Sequence, residues 1–208
     1  MEKDGRTSGI LRVNRTLDYD AGPDHRHFLL NISATPLTPT LGHVAYTSVR
    51  IDIVDFDDLS PQFSHDTYRL AFVENDSSII NVSLATTPRL LARDMDFGIN
   101  QTVLYKIQSG ASLSGQPFLQ IDQATGEFKV IRIFDREALS SNEILLQVKA
   151  YQTDKPNTRI ALATVIVTVL DKNDNRPVIV PTNLSATIAE NSAAGTYVTR
   201  LSASDLDV

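Results

Sequence analysis

Apolar and polar residues alternate with a period of two along most of the chain. Residues 144–150 place Ile, Leu, Val and Ala on one face of a predicted strand, and residues 49–53 do the same with Val and Ile. Such alternation predicts strands that bury one face. Turn signals such as Thr125-Gly126 separate these runs, and no period of 3.6 residues is sustained. We therefore predict an all-β fold of antiparallel β-sandwiches.

One motif at the end of a predicted strand occurs twice. Ile51–Pro61 aligns with Val167–Pro177, and a Glu-Asn pair follows each copy at the same distance, beginning at Glu74 and at Glu190. A fixed repeat of this kind indicates tandem structural units. The predicted boundaries are 1–60 for the C-terminal half of one unit, 61–176 for a complete unit and 177–208 for the start of a third.

The second copy of the motif is rich in oxygen ligands. Asp171–Pro177 places four oxygen-bearing side chains within five residues, directly after a predicted strand. Carboxylate, amide and carbonyl oxygens are the ligands that calcium prefers. Because a sandwich gathers its strand ends at two poles, acidic elements that lie far apart in the sequence can converge there. The sequence therefore predicts calcium sites where one unit meets the next.

The composition indicates the cellular location of the protein and excludes some classes of binding partner. The net charge of −6 and the lack of any Lys/Arg run argue against nucleic acid or an anionic membrane surface as a partner. The chain has no cysteine, which excludes a disulfide framework and thiolate chemistry. Six N-x-Ser/Thr sequons are about twice the number expected by chance and indicate an extracellular setting. They begin at Asn14, Asn31, Asn75, Asn81, Asn100 and Asn183.

Neither a membrane span nor a signal peptide is recognisable in the sequence. The longest apolar run, Ile160–Leu170, is shorter than a span and contains two threonines, so it suits a strand. The first residues lack the apolar region of an export signal. Since a glycosylated protein needs an export signal, we expect these residues to be an internal piece of a longer protein.

The motifs, taken in order, resemble those of extracellular cadherin repeats. Those repeats carry xEx, DRE, DxNDNxP and DxDxGxN elements, which Glu74, Asp135–Glu137, Asp171–Pro177 and Asp94–Asn100 match. The resemblance covers nearly the whole chain. It implies tandem Greek-key, immunoglobulin-like β-sandwiches joined end to end. It also implies calcium-dependent cell–cell adhesion at the plasma membrane, a calcium-stiffened rod, and other cadherin ectodomains as homophilic or heterophilic partners.

The resemblance also implies a set of calcium ligands at each of two linkers. At the second linker these are Glu74, Asp135, Glu137, Asp171, the carbonyl of Lys172, Asn173, Asp174, the carbonyl of Asn175, Asp205 and Asp207. At the first linker they are Asp18, Asp20, Asp55, the carbonyl of Phe56, Asp57, Asp58, the carbonyl of Leu59, Asp94, Asp96 and Asn100.

The first linker departs from the family pattern. Asp18-Tyr19-Asp20 stands in place of DRE, Asp57 and Leu59 replace two asparagines, and Gln152 occupies the position of a late carboxylate. We expect this linker to bind calcium, with a third site that is weakened or depends on Asp57. Asn100 is both a sequon and a predicted ligand, and we expect it to carry no glycan because a glycan would crowd the site.

Three other hypotheses fit the residues less well. An EF-hand needs Gly at its sixth position and Glu at its twelfth, and counting from Asp171 gives Arg176 and Thr182. A zinc site at His25, His27 and His43 would lie in a polar loop, where histidines are usually solvated. A carbohydrate-binding module of a secreted enzyme could use Asp135 and Glu137 as acid and base. However, the chain has no Trp, GxSxG, HExxH or phosphate loop, so we predict no enzyme.

Overall fold

The computed structural model describes residues 8–36, 42–113, 115–180 and 184–207. The chain divides into two compact units. The first unit contains Met1–Leu59 and Asp94–Thr102, and the second contains Ser60–Arg93 and Val103–Val208. The predicted boundaries at 60 and 176 stay a prediction.

Short and long strands make up the regular structure, and no α-helix occurs in the described ranges. The strands are β1 His27–Ala34, β2 Ala45–Asp52, β3 Gln62–Phe63, β4 Thr67–Val73, β5 Ser83–Leu84, β6 Ala92–Arg93, β7 Val103–Ser109, β8 Ser112–Leu113, β9 Gln116–Pro117, β10 Leu119–Ile121, β11 Phe128–Val130, β12 Glu143–Gln152, β13 Ile160–Leu170, β14 Val178–Val180 and β15 Ser202–Ser204. Two 3-10 turns span Pro23–His25 and Ser77–Ile79. No helix in the described ranges is long and apolar enough to cross a membrane.

The first unit is built on an antiparallel pair of strands, β1 and β2. Phe28 lies opposite Ile51 and Leu30 opposite Val49, and these four side chains are half-buried on one face. Beyond β2 the burial alternates: Asp55 and Asp57 are half-buried, whereas Val54, Phe56 and Asp58 are exposed. A period of two is typical of an extended backbone, and it places Asp55 and Asp57 on the same side.

The second unit is a sandwich of two sheets. A four-stranded sheet has the order β4-β13-β12-β7 and a three-stranded sheet has the order β10-β11-β5. The inward residues of β4, β12 and β13 are buried at every second position, as the alternation predicts. The largest fully buried apolar side chains are Tyr68, Phe118, Phe128, Leu146, Val130, Val148, Val165, Val167 and Val169. Burying a large apolar side chain of this kind stabilises a fold by about 1.5–3 kcal/mol.

The pairing of β4 with β13 brings two acidic residues of the second unit close together. β4 and β13 run parallel, with Val73 beside Leu170, and the backbone N–H of Glu74 donates to the carbonyl of Leu170 over 2.9 Å. Both strands therefore deliver their next residues, Glu74 and Asp171, to the same end of the sheet. The prediction of an all-β sandwich is confirmed, although the pairing of β4 with β13 is parallel, whereas an antiparallel arrangement was expected.

Candidate metal centres

Five carboxylates gather in the first unit, and we call them the first cluster: Asp20, Asp55, Asp57, Asp94 and Asp96. One oxygen from each of Asp20, Asp55 and Asp96 lies within 4.8 Å of the other two. The same holds for Asp57, Asp94 and Asp96, so Asp96 belongs to both groups. The residues come from the turn before β1, the extended segment after β2, and the loop after β6.

Backbone N–H groups fix the carboxylates of the first cluster. Oδ2 of Asp55 accepts from Gly98 and Ile99 over 2.8 and 2.7 Å, and Oδ1 of Asp20 accepts from Phe97 over 2.8 Å. Oδ1 of Asp96 accepts from the N–H groups of residues 58 and 59. Each bond joins an acid to a segment distant in sequence, which holds the oxygens together.

Gly98 is required by this close approach. A Cβ at position 98 would lie 2.8 Å from Oδ2 of Asp55 and 3.1 Å from its Cβ. Since two backbone donors fix that carboxylate, it cannot turn aside without losing them. The glycine of the DxDxGxN element therefore allows the loop to reach Asp55.

Two features of the first cluster favour binding of a cation. Oδ1 of Asp55 is buried and has no hydrogen-bond partner within the described part of the chain. Burial raises the pKa of Asp96, and the charge of Asp94 adds to this, while backbone bonds from Asp58 and Leu59 oppose it. A cation would offset both costs, because unpaired buried charge is unfavourable.

Five carboxylates of the second unit form a second cluster: Glu74, Glu137, Asp171, Asp174 and Asp207. Oxygens of Glu74, Glu137 and Asp171 lie within 4.8 Å of one another, and so do those of Glu137, Asp174 and Asp207. Glu137 is shared. Burial raises its pKa, and the charges of Glu74 and Asp171 contribute in the same direction.

Glu74 anchors the second cluster. Its side chain is 0% exposed, and its two oxygens accept from the backbone N–H groups of Arg136 and Lys172. Those donors belong to the DRE element and to the segment after β13. One buried carboxylate therefore holds two ligand-bearing segments in place.

Polar residues outside the predicted ligand set complete the second cluster. The guanidinium of Arg136 contacts Glu137 over 3.2 Å and Asp171 over 3.0 Å. The side chain of Asn75 donates to Asp174 over 3.1 Å. Neither residue was predicted from the sequence to take part in the site, because their neighbours in the motifs carry the ligands.

The structure brings some of the predicted ligands together and leaves others apart. Ten predicted ligands are the members of the two clusters. Asn175 joins them through hydrogen bonds, since its side chain donates to Glu137 and Asp207 and its N–H to Asp207. Asp18, Asp58, Asp135 and Asp205 lie outside the close carboxylate groups. Asp18 and Asp205 instead accept from nearby backbone N–H groups, and Asp135 lines an open cleft.

The remaining predicted ligands act through carbonyl or amide groups. Phe56, Asn100 and Asn173 are exposed, and the backbone N–H groups of Leu59 and Lys172 bind cluster carboxylates. Their roles as ligands stay a prediction. In the described ranges no close group of ligand atoms includes a histidine, so His25, His27 and His43 do not form a metal site there.

The sequence of this chain is similar to those of known cadherins and protocadherins. No protein-family model matches the chain. Human protocadherin-18 is 29% identical over 214 residues, covering 100% of this chain and 18% of the relative. Human cadherin-23 is 30% identical over 203 residues, covering 97% of this chain and 6% of the relative. The chain thus spans a fifth or less of the length of these relatives.

Solved structures agree with the sequence relatives. The crystal structure of mouse cadherin-23 EC22-24 superposes with a TM-score of 0.65 at 28% identity, covering 94% of this chain and 57% of that one. The two relatives and the structure named here are cadherins or protocadherins, which does not favour a carbohydrate-binding module.

Proposed function

Because this chain belongs to the cadherin repeat family, we propose that it is a calcium-binding segment of an adhesion ectodomain. The parent protein is anchored in the plasma membrane, and this segment lies on its extracellular side. Its partners are other cadherin ectodomains, in homophilic or heterophilic pairs. Support comes from the relatives, from the sequons and from the two clusters.

The observation that carries the proposal is the pairing of carboxylate groups in each cluster. Each cluster holds two groups of three oxygens within 4.8 Å, joined by one shared residue, Asp96 or Glu137. These all-oxygen donor sets suit calcium, which takes six to eight oxygen ligands, and shared carboxylates allow neighbouring ions to lie close together. Carbonyls of Lys172 and Asn175, with Asn173, Asp135 and Asp205, would complete the second cluster.

Calcium would act as a cross-link between segments. Without it, the five carboxylates of each cluster repel one another, and in the second cluster the Arg136 guanidinium offsets part of this repulsion. With it, the turn before β1, the segment after β2 and the loop after β6 would share ligands to the same ions. Calcium would thereby stiffen the ectodomain, and adhesion would depend on its concentration.

Calcium titration of the 208-residue chain tests the proposal. Calorimetry is expected to show several sites with dissociation constants of about 10⁻⁴–10⁻³ M. At about 1–2 mM calcium, each site is expected to add about 1 kcal/mol to the free energy of unfolding, and a chelator is expected to reverse this. Asp174→Ala should weaken the ion held by Glu137, Asp174 and Asp207 at the second cluster. Saturation by magnesium with equal affinity, or no saturable binding, would contradict the proposal.

Asp57 supplies the third carboxylate of its group, where the family pattern has an asparagine. Asp57→Asn is therefore expected to weaken one calcium ion of the first cluster about three- to tenfold, since an amide oxygen binds more weakly than a carboxylate. Titration calorimetry measures this change.

The matched control is Asp52→Asn, which removes the same charge from an exposed residue on β2 of the same unit. We expect its calcium affinity to equal that of the parent chain. Equal losses in both variants would mean that net charge, and not Asp57 as a ligand, sets the affinity.

A further inference from the structure

An arginine outside every cadherin motif lies between two aromatic rings in the first unit. The guanidinium carbon of Arg26 is 3.5 Å from the ring centroid of Phe97 and 4.8 Å from that of Tyr19. Its Nε also donates to the carbonyl of Tyr19 over 3.4 Å. A cation within about 6 Å of a ring centroid is attracted by the ring face. Arg26 is therefore held by both rings at once.

Three of the residues that contact Arg26 lie within two positions of a member of one carboxylate group. Tyr19 precedes Asp20 and Phe97 follows Asp96. The carbonyl of Arg26 accepts from the N–H of Ile53 over 2.8 Å, two residues before Asp55. One residue thus contacts all three segments that supply Asp20, Asp55 and Asp96.

Phe97 itself needs such a partner. It is 66% exposed, although its neighbour Asp96 is buried. Its N–H donates to Asp20, and the next two N–H groups donate to Asp55. Fixing the Phe97 ring therefore also fixes the backbone donors that orient two of the carboxylates.

We propose that Arg26 is a positioning residue that assembles the group of Asp20, Asp55 and Asp96 before calcium binds. It does so by stacking against Phe97 and Tyr19, so the planar guanidinium and the rings matter more than the charge alone. The proposal rests on the proposed function in taking calcium as the ion. If Arg26 has this role, the calcium affinity of the first cluster depends on Arg26, Tyr19 and Phe97, whose side chains do not bind the ion.

Hydrogen exchange without metal gives the first test. In the 208-residue chain with a chelator, the amides of Phe97, Gly98 and Ile99 are expected to exchange about three- to tenfold faster in Arg26→Ala than in the parent chain. Phe97→Leu should have the same effect, and Phe97→Tyr, which keeps a ring, should not. Amides of β1 and β2 report whether the hairpin stays folded in each variant.

Calcium titration gives the second test. Arg26→Ala and Arg26→Gln are expected to weaken the first cluster about three- to tenfold and to leave the second cluster unchanged. Arg26→Lys should also lose affinity, because lysine keeps the charge but not the planar group. Arg50→Ala, an exposed arginine on β2, is the matched control and should match the parent chain.

The outcomes separate this proposal from the proposed function. If the parent chain binds no calcium, the proposed function fails, while exchange still reports on the stacking. If calcium binds but Arg26→Ala leaves exchange and affinity unchanged, the positioning role is overturned alone. Tighter binding in both neutral variants would also overturn it, since that result would show only charge repulsion between Arg26 and the ion.

Discussion

Glu74→Ala is expected to lower the free energy of unfolding of the calcium-loaded chain by about 3 kcal/mol or more, with at least a tenfold loss of affinity at the second cluster. Glu74 is fully buried and accepts from the backbone of Arg136 and Lys172. Truncation leaves two donors unsatisfied, at about 1–3 kcal/mol each, and removes a ligand. Denaturant unfolding with calcium and with a chelator measures both parts.

Glu143→Ala is the matched control for Glu74. Glu143 lies in the same unit, and its side chain is 51% exposed with only a 4.0 Å ion pair to Arg69. Its truncation should change stability by less than about 0.5 kcal/mol. A loss for Glu74→Ala no larger than this, with calcium present, would contradict the anchoring role.

Asp96→Asn is expected to abolish two binding events at the first cluster, because Asp96 belongs to both of its groups. The amide oxygen of asparagine can still accept from the N–H groups of residues 58 and 59, so the variant removes charge while keeping shape. The second cluster should titrate normally. Calorimetry counts the remaining sites.

Asp94→Asn provides the graded comparison, since Asp94 belongs to one group only. It should abolish one binding event where Asp96→Asn abolishes two. Asp24→Asn, an exposed residue of the same unit, should have no effect. Identical titrations for Asp94→Asn and Asp96→Asn would contradict the assignment of Asp96 as the shared ligand.

Local patterns predicted much of the second unit. In β12, Leu146, Val148 and Ala150 are buried as the period of two predicts, because alternation follows from backbone geometry alone. The resemblance to cadherin repeats also implied that each carboxylate of the two clusters is a ligand. It did not separate these from Asp58 or Asp135, because a motif does not record which carboxylates come within a few ångströms of each other in the fold.

The alternation of the long strands, the repeated motif and the acidic elements are each encoded in contiguous residues, so they can be predicted from the sequence alone. Which of these elements come into contact depends on the tertiary structure. The parallel register of β4 and β13 places Glu74 beside Asp171, and the stacking of Arg26 on Phe97 joins three ligand-bearing segments. Both arrangements depend on contacts between residues that are far apart in the chain. The free energy of such contacts comes from packing and hydrogen bonding across the fold, so local propensity does not predict them.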